Sequence, residues 1–148
     1  LIGNDTIGST VILTRSHSGI RRIKNFLQSK GFDVEELMTA EDIDFESNTI
    51  KICTLSSVKG LEFENVFIID LNDDVIPYPP GFNDEDDEFH ISTERRLLYT
   101  SMTRAREKLY LLTSGNPSRY IQEIDEKYLE IIRNANNSNN SVENDLPF

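Results

Sequence analysis

The chain has 148 residues, a formal net charge of −11 and 37% apolar residues, which together suit one globular domain. A wholly disordered chain and a pair of full-sized domains are thereby excluded. No apolar run approaches the roughly 20 residues of a membrane span, and the first residues lack a signal-peptide pattern, so we expect a cytoplasmic protein without a membrane partner. The single cysteine, Cys53, excludes a disulfide framework and is expected to be a reduced core thiol.

Charge is distributed unevenly along the chain. Residues 33–46 contain seven acids and no base, and residues 84–88 are acidic without interruption, which is typical of solvated surface. The bases gather instead in residues 15–24 and 95–108. If the fold brings these two segments together they form a basic face, so the acidic total does not exclude a nucleic-acid partner.

Short apolar runs predict the strands, and helical spacing predicts the helices between them. A helix is expected over residues 17–30, and Gly31 is expected to end it. A second is expected from Glu94 to Ala105, and a last one from Asn116 through residue 132. The alternation of strands and helices indicates an α/β fold with a mostly parallel sheet and helices on both faces. The four predicted strands are residues 11–13, 50–53, 66–69 and 109–112.

Residues 3–10 nearly match the phosphate-loop pattern GxxxxGK[ST]. Ser9 replaces the lysine, however, and the segment precedes a strand instead of joining a strand to a helix. We therefore reject it as a nucleotide site. No other segment has the pattern, so the chain has no visible means of holding the β and γ phosphates of a nucleotide alone.

A strand that ends in Asp70 suggests a second α/β interpretation, the receiver domain of bacterial signalling proteins. Such domains need an acidic pair after the first strand and a lysine at the end of the last one. Here Arg15 and its neighbours follow the first strand, and Lys108 begins the last. The receiver interpretation fails on these two parts, and Asp70 is expected to be a strand-end carboxylate.

Three longer segments carry helicase-like motifs. Residues 11–16 read Val-Ile-Leu-Thr-Arg-Ser and resemble motif IV. Residues 54–63 read Thr-Leu-Ser-Ser-Val-Lys-Gly-Leu-Glu-Phe and resemble motif V, TxHxxKGLEF, with serine in place of its histidine. Residues 94–106 read Glu-Arg-Arg-Leu-Leu-Tyr-Thr-Ser-Met-Thr-Arg-Ala-Arg and are similar to motif VI, ERRLxYVAxTRA. In this order they resemble the UvrD/Rep/PcrA-like superfamily 1 helicases.

The resemblance implies a fold, a parent enzyme and two domains that share the contacts to ATP. Residues 1–133 are expected to form the second, C-terminal RecA-like domain of an ATP-dependent DNA helicase or translocase. The first RecA-like domain, with its Walker A and B motifs, belongs to the same parent polypeptide and holds most of the contacts to ATP and Mg²⁺. This chain alone is therefore expected to be inactive and to contribute no metal ligand. Only about 18 residues precede the motif V strand after the motif IV helix, too few for a large inserted domain.

The same resemblance implies which side chains contact the nucleotide. Arg104 is expected to act as an arginine finger, and Arg15 as a second contact to the γ-phosphate, because phosphoryl transfer needs cations where charge develops. Glu62 is expected to bind the ribose of ATP, with Gly60 beside it. Single-stranded or duplex DNA is expected on four other positions: Thr54, Ser56, Ser57 and Lys59. Other arginines of motif VI are expected to be surface charges.

The Asn-rich residues 134–148 are expected to form a disordered tail. Its end, Leu146-Pro147-Phe148, follows acidic residues and resembles the tip of bacterial single-stranded-DNA-binding proteins, which suggests a repair or replication protein as a partner. The non-enzymatic alternative for the whole chain is a nucleic-acid or protein interaction module derived from a helicase.

Overall fold

The computed structural model describes residues 4–38, 43–79 and 88–133. These residues form five strands and two α-helices, with short 3-10 helices before the first strand and after the last. The strands are β1 (Thr10–Thr14), β2 (Val34–Glu36), β3 (Ile50–Thr54), β4 (Phe63–Ile68) and β5 (Ala105–Leu111). The helices are α1 (His17–Ser29) and α2 (Glu88–Met102), and the 3-10 helices are η1 (Asn4–Ser9), η2 (Arg119–Glu123) and η3 (Glu126–Tyr128).

All five strands pair in parallel, in the order β2-β3-β1-β4-β5. The predicted α/β fold with a parallel sheet is confirmed, and all four predicted strands exist. Because the strands are parallel, the sheet has one edge where every strand begins and another where every strand ends. We call these the amino edge and the carboxyl edge. Thr14 and Thr54 are register partners at the carboxyl edge, and Phe63 and Ala105 are partners at the amino edge.

Each face of the sheet packs against one helix. Alternate residues of β1 divide between the faces: Val11 and Leu13 join the core beneath α2, where Leu98 is buried, and Ile12 joins the core beneath α1, where Ile20 is buried. Cys53 is buried in the α2-side core, and burial raises the pKa of its thiol to about 12. The predicted core thiol is confirmed, and so are helices on both faces.

Helix α1 follows its sequence signals closely. The Ser16 side chain accepts a hydrogen bond from the Gly19 N–H at the first turn, and the helix ends one residue short of the predicted position. Gly31 has a φ of +84°, while Gly31 and Phe32 donate backbone hydrogen bonds to Gln28 and Leu27. This is a Schellman motif, which requires a residue that tolerates the left-handed conformation.

The predicted bounds of the second helix are wrong at both ends. Helix α2 begins at Glu88, because tertiary contacts hold its first turns: Tyr120 Oη donates to the Ile91 carbonyl at 2.8 Å, and the His90 ring nitrogen contacts the Tyr78 carbonyl at 2.7 Å. The helix ends at Met102, and Ala105 already belongs to β5. Strand β5 lies at the edge of the sheet, where charged residues are tolerated, so its polar first half gives no apolar signal.

The predicted last helix does not form. The chain makes two 3-10 turns instead, and each has its own cap: Ser118 accepts from the Tyr120 N–H, and Asp125 accepts from the Lys127 N–H. The Tyr120 side chain is fully buried. Its packing and the second cap at Asp125 stop η2 before a longer helix can propagate.

Strand β2 was not predicted, because it lies inside the acidic segment that suggested surface. Glu35 pairs in register with Lys51 of β3, and the Lys51 ammonium lies 3.3 Å from the Glu35 carboxylate. The acidic strand is therefore held at the sheet edge by a cation from its neighbour.

Two predictions concern segments at the ends of the chain. The rejected phosphate-loop match overlaps η1, which leads directly into β1, an arrangement that differs from a strand-to-helix phosphate loop. The predicted tail and its Leu146-Pro147-Phe148 tip lie outside the described residues, and so the domain boundary at residue 133 stays a prediction. No helix in residues 4–38, 43–79 and 88–133 is long and apolar enough to cross a membrane.

Candidate functional site

The motif V segment runs along the α2 side of the sheet, from the end of β3 to the start of β4. Leu55 and Val58 are buried and anchor it, and Ser101 of α2 donates a hydrogen bond to the Leu55 carbonyl at 3.2 Å. Gly60 has a φ of +83°, so this position favours glycine. The anchored turn leaves the Glu62 side chain exposed just before β4 begins.

A backbone hydrogen bond joins the end of motif V to the end of motif VI. The Phe63 N–H donates to the Arg104 carbonyl at 2.9 Å, and Phe63 pairs with Ala105 in the sheet. Glu62 and Arg104 therefore come from neighbouring chain segments at the amino edge, although 42 positions separate them in sequence. We call Gly60, Glu62 and Arg104 the amino-edge site.

The Arg104 side chain folds back over the last turn of α2. Its Nε donates to the Thr100 carbonyl at 3.2 Å, and its Nη2 donates to Thr103 Oγ1 at 3.1 Å. Both contacts are neutral, so no carboxylate among the described residues cancels the guanidinium charge. Arg104 lines a shallow groove of about 500 Å³ along the outer side of α2, together with Arg95, Arg96, Tyr99, Thr100 and Thr103.

Arg15 lies at the carboxyl edge, just after β1. Its Nε and Nη2 donate to the two carboxylate oxygens of Glu94 at 2.9 and 2.7 Å, and its guanidinium lies over the Tyr78 ring at 4.6 Å from the centroid. Both partners of the pair are largely buried, with 20% and 6% of the side chains exposed. This geometry is a bidentate ion pair stacked on an aromatic ring.

The structure does not bring Arg15 and Arg104 together. Arg15 contacts Glu94, whereas Arg104 contacts Thr100, which lies six residues further along α2. Six residues correspond to about 9 Å of helix rise, and a turn of 100° per residue places them on different sides of the helix. The two guanidiniums therefore have different partners, Glu94 and Thr100, and the shared γ-phosphate contact that the motif resemblance implies stays a prediction.

Glu94 is ionised although it is almost inaccessible. Burial by itself would raise the pKa of this carboxyl group, but hydrogen bonds from Arg15 and from the Tyr78 N–H, with the nearby positive charges, outweigh it and lower the pKa below the usual value. The Tyr78 N–H lies 2.8 Å from Glu94 Oε2. Glu94 thus connects β1, α2 and the loop that follows β4.

The hydroxyl groups of the β3–β4 turn lie at the carboxyl edge. Thr54 and Ser57 contact each other through their hydroxyl oxygens at 2.9 Å, and the Ser57 N–H donates to the Thr54 carbonyl at 3.0 Å. Only 8% of Thr54 is exposed, so it stabilises the turn. Ser56 is exposed at the tip, and Lys59 is exposed further along the segment.

Comparison with known proteins distinguishes the helicase-domain interpretation from the receiver-domain interpretation. A family profile, the UvrD-like helicase C-terminal domain, matches residues 14–116. The chain belongs to this family. The receiver alternative is thereby excluded, and the RecA-like assignment of the fold is confirmed.

Relatives in this family include ATP-dependent DNA helicases named PcrA. The chain is 34% identical over 109 residues to that of Staphylococcus aureus (strain Mu50), which aligns 66% of this chain with 15% of the relative. It is 32% identical over 119 residues to that of Leuconostoc citreum, covering 73% and 16%. The chain thus spans about a sixth of the length of these relatives. A solved C-terminal domain of a possible DNA helicase from Lactobacillus plantarum WCFS1 has the same fold, with a TM-score of 0.63 at 24% identity over 80% of this chain and 64% of that one.

Sequence reasoning did not assign a role to Glu94 or Tyr78 in this UvrD-like domain. Glu94 opens the motif VI segment, but the only hint of its role is its place in that motif, because its partner Arg15 lies 79 positions away. Tyr78 falls in the proline-rich loop after β4, for which no pattern predicts a contact. Both residues surround Arg15, so the structure adds them to the carboxyl edge.

Proposed function

We propose that this chain is the C-terminal motor domain of an ATP-dependent DNA helicase or translocase and contributes one side of its ATP site. The observation that carries the proposal is the hydrogen bond from Phe63 to Arg104, which brings the motif V loop and the motif VI arginine to the same edge of the sheet. The family match supports the same conclusion, because the matched residues include both motifs.

In this proposal Arg104 contacts the γ-phosphate of ATP. An arginine guanidinium is permanently charged, and its planar fork matches the oxygens of a phosphate group. The neutral contacts to Thr100 and Thr103 orient the side chain without cancelling its charge. Arg104 acts when the two RecA-like domains close over ATP, so its binding energy is expressed mainly in the transition state.

The exposed carboxylate of Glu62 fits a ribose, whose hydroxyl groups donate hydrogen bonds to such an acceptor. Gly60 allows the loop to turn before it. Mg²⁺, when bound, would neutralise the charge that develops on the phosphates. We assign its protein ligands to the N-terminal RecA-like domain, in keeping with the motif resemblance.

We assign DNA binding to the carboxyl edge of the sheet. Ser56 presents an exposed hydroxyl at this edge, Thr54 and Ser57 shape its turn, and Lys59 adds a positive charge on the same segment. Arg15 uses two of its nitrogens on Glu94, and its remaining N–H groups can donate to a phosphodiester. This assignment moves Arg15 from the nucleotide to the nucleic acid, because it lies at the edge remote from Arg104.

Substitution of Arg104 in the full-length parent tests the proposal. Arg104→Ala is expected to lower DNA-stimulated ATP hydrolysis by roughly 10³-fold or more, the low end of what arginine fingers supply, with a smaller change in nucleotide affinity. Arg104→Lys is expected to rescue poorly, since a point charge lacks the planar fork. The assay is steady-state ATP hydrolysis with saturating single-stranded DNA.

Arg106→Ala is the matched control, because Arg106 is an exposed arginine two positions away on β5. We expect near-normal turnover from it. Normal turnover by the Arg104→Ala protein, or a defect confined to Arg106→Ala, would contradict the assignment of Arg104. A parent polypeptide without any ATP hydrolysis would favour the alternative of a non-catalytic interaction module.

A further inference from the structure

The groove along α2 contains three arginines whose charges are not equivalent. The Arg95 Nε donates to both carboxylate oxygens of Glu123 at 3.0 Å, and Tyr99 Oη donates to the same carboxylate at 3.0 Å. Arg95 also lies over the buried Tyr120 ring, 5.5 Å from its centroid. The C-terminal segment therefore neutralises Arg95 and uses it to hold η2 against α2.

Arg96, the next residue, has a different environment. It is exposed, it lines the groove, and it makes no hydrogen bond or ion pair within residues 4–38, 43–79 and 88–133. Adjacent residues of a helix differ by about 100° in direction, so Glu123 engages Arg95 and leaves Arg96 on the open side. Its charge is therefore available to a ligand in the groove.

Arg96 and Arg104 line the same groove. The Arg104 Nε is fixed on the Thr100 carbonyl, one helical turn from Arg96 and about 6 Å along the helix. Arg104 follows the end of α2 at Met102, and its side chain folds back over the last turn, so its guanidinium and that of Arg96 can converge on one ligand in the groove. Thr100 and Thr103 also line this groove, and the Thr100 hydroxyl can donate a further hydrogen bond, whereas the Thr103 hydroxyl already donates to the Thr100 carbonyl at 2.7 Å.

We propose that Arg96 is a second phosphate-binding residue of this domain and binds, together with Arg104, the phosphate oxygens of a nucleoside triphosphate. The inference rests on the proposed function, because it uses the same groove and the same ligand class. It gives Arg96 the role that the motif resemblance implies for Arg15. Glu123 contributes by keeping Arg95 out of the site, so that two arginines instead of three face the phosphates.

Inorganic tripolyphosphate is a suitable probe for the 148-residue chain, because it lacks the base and ribose that other residues bind. The titration is followed by the ¹⁵N-edited NMR signals of the arginine Nε–H groups. We expect the signals of Arg96 and Arg104 to shift along one binding curve, while those of Arg95 and Arg106 stay near their starting positions. The net charge of −11 suppresses unspecific binding of an anion.

Two variants complete the test. Arg96→Ala is expected to weaken the affinity reported by the Arg104 signal about three- to fivefold, the size of one exposed charge pair, and Arg96→Lys to weaken it less. Arg106→Ala removes the same charge from an exposed position outside the groove and is expected to leave the affinity unchanged. Both side chains are exposed, so neither variant threatens the fold.

The outcomes separate this inference from the proposed function. A shift of Arg104 without Arg96, or equal weakening by Arg96→Ala and Arg106→Ala, overturns the role of Arg96 and leaves the Arg104 assignment intact. Unchanged signals for both residues at the highest tripolyphosphate concentration also overturn the role of Arg96. The ATP hydrolysis assay on Arg104 variants of the full-length parent protein then tests the proposed function independently.

Discussion

At the scale of single residues, the buried carboxylate of Glu94 accepts three hydrogen bonds from two distant parts of the chain, Arg15 and Tyr78. Two of its contacts are hydrogen bonds from a guanidinium, and a third is a backbone N–H. Charge-assisted hydrogen bonds of this kind are about twice as strong as neutral ones. The free energy of unfolding therefore depends on keeping Glu94 ionised.

We predict that Glu94→Gln lowers the free energy of unfolding by about 2 kcal/mol at pH 7, because it removes charged acceptors from Arg15. The folded-state pKa of Glu94 lies below the ordinary pKa of a glutamate side chain, so its contribution to stability is fully present above that ordinary pKa and is lost as the pH falls through the folded-state pKa. Urea unfolding at pH 7, 5 and 3.5 should show the difference between the two proteins shrink only at the lowest pH.

Glu107→Gln is a suitable control for this prediction, because Glu107 is exposed on β5. It is expected to change the free energy of unfolding by less than about 0.5 kcal/mol. Equal stability of the Glu94→Gln protein and the unsubstituted chain at pH 7 would contradict the role given to the ion pair.

At the scale of elements, the edge strand β2 depends on one buried lysine. The Lys51 side chain is fully inaccessible, and its ammonium contacts Ser47 Oγ at 2.6 Å, Thr49 Oγ1 at 2.7 Å and the Glu35 carboxylate. A buried cation requires such partners to offset its desolvation. Lys51 thus connects β2 and the segment before β3 to the centre of the sheet.

We predict that Lys51→Ala destabilises the protein by about 3 kcal/mol, because it leaves the Glu35 carboxylate without its cation and opens a cavity. Amide hydrogen exchange should accelerate most in β2, since edge elements open locally. The exposed Lys59→Ala variant, with the same loss of charge, should leave exchange in β2 unchanged. Uniform acceleration across all strands would contradict a local role.

Helix α2 connects the two edges of the sheet. Glu94, in its first half, contacts the carboxyl edge, and Arg104, just after its last residue, belongs to the amino edge. The regular geometry of α2 therefore fixes the separation between these two contacts.

At the scale of the whole molecule, we expect this domain to provide only one side of a nucleotide site. In residues 4–38, 43–79 and 88–133 no three His, Cys, Asp or Glu side chains come together to hold a metal ion. The amino-edge site offers an arginine, a carboxylate and a glycine turn, which can contact ATP from one direction. Most of the binding energy for the phosphates is expected from the partner domain.

We predict that the isolated chain binds ATP more weakly than micromolar and does not hydrolyse it, because a phosphate loop and magnesium ligands supply most of the affinity and the chemistry. Isothermal titration calorimetry and a phosphate-release assay on the purified chain check both parts. Micromolar binding or measurable turnover would show that the chain completes the site without another domain.

Local sequence patterns predicted the centre of the sheet and α1 well. Strands β1 and β3 are apolar runs buried on both faces, and α1 has a capping serine and a terminating glycine, so each is determined by neighbours in sequence. Two of the failures share one cause. Strand β2 and the start of α2 depend on Lys51 and Tyr120, partners that no local pattern identifies.

The sequence by itself determined the family, the α/β class and the candidate residues, because motifs V and VI place Glu62 and Arg104 within recognisable contiguous segments. Only the tertiary structure decided which candidates meet. The register of β4 with β5 brings Arg104 beside Glu62, while the ion pair with Glu94 holds Arg15 at the opposite edge. Such contacts depend on strand order and helix direction, which are set by packing between residues distant in the chain.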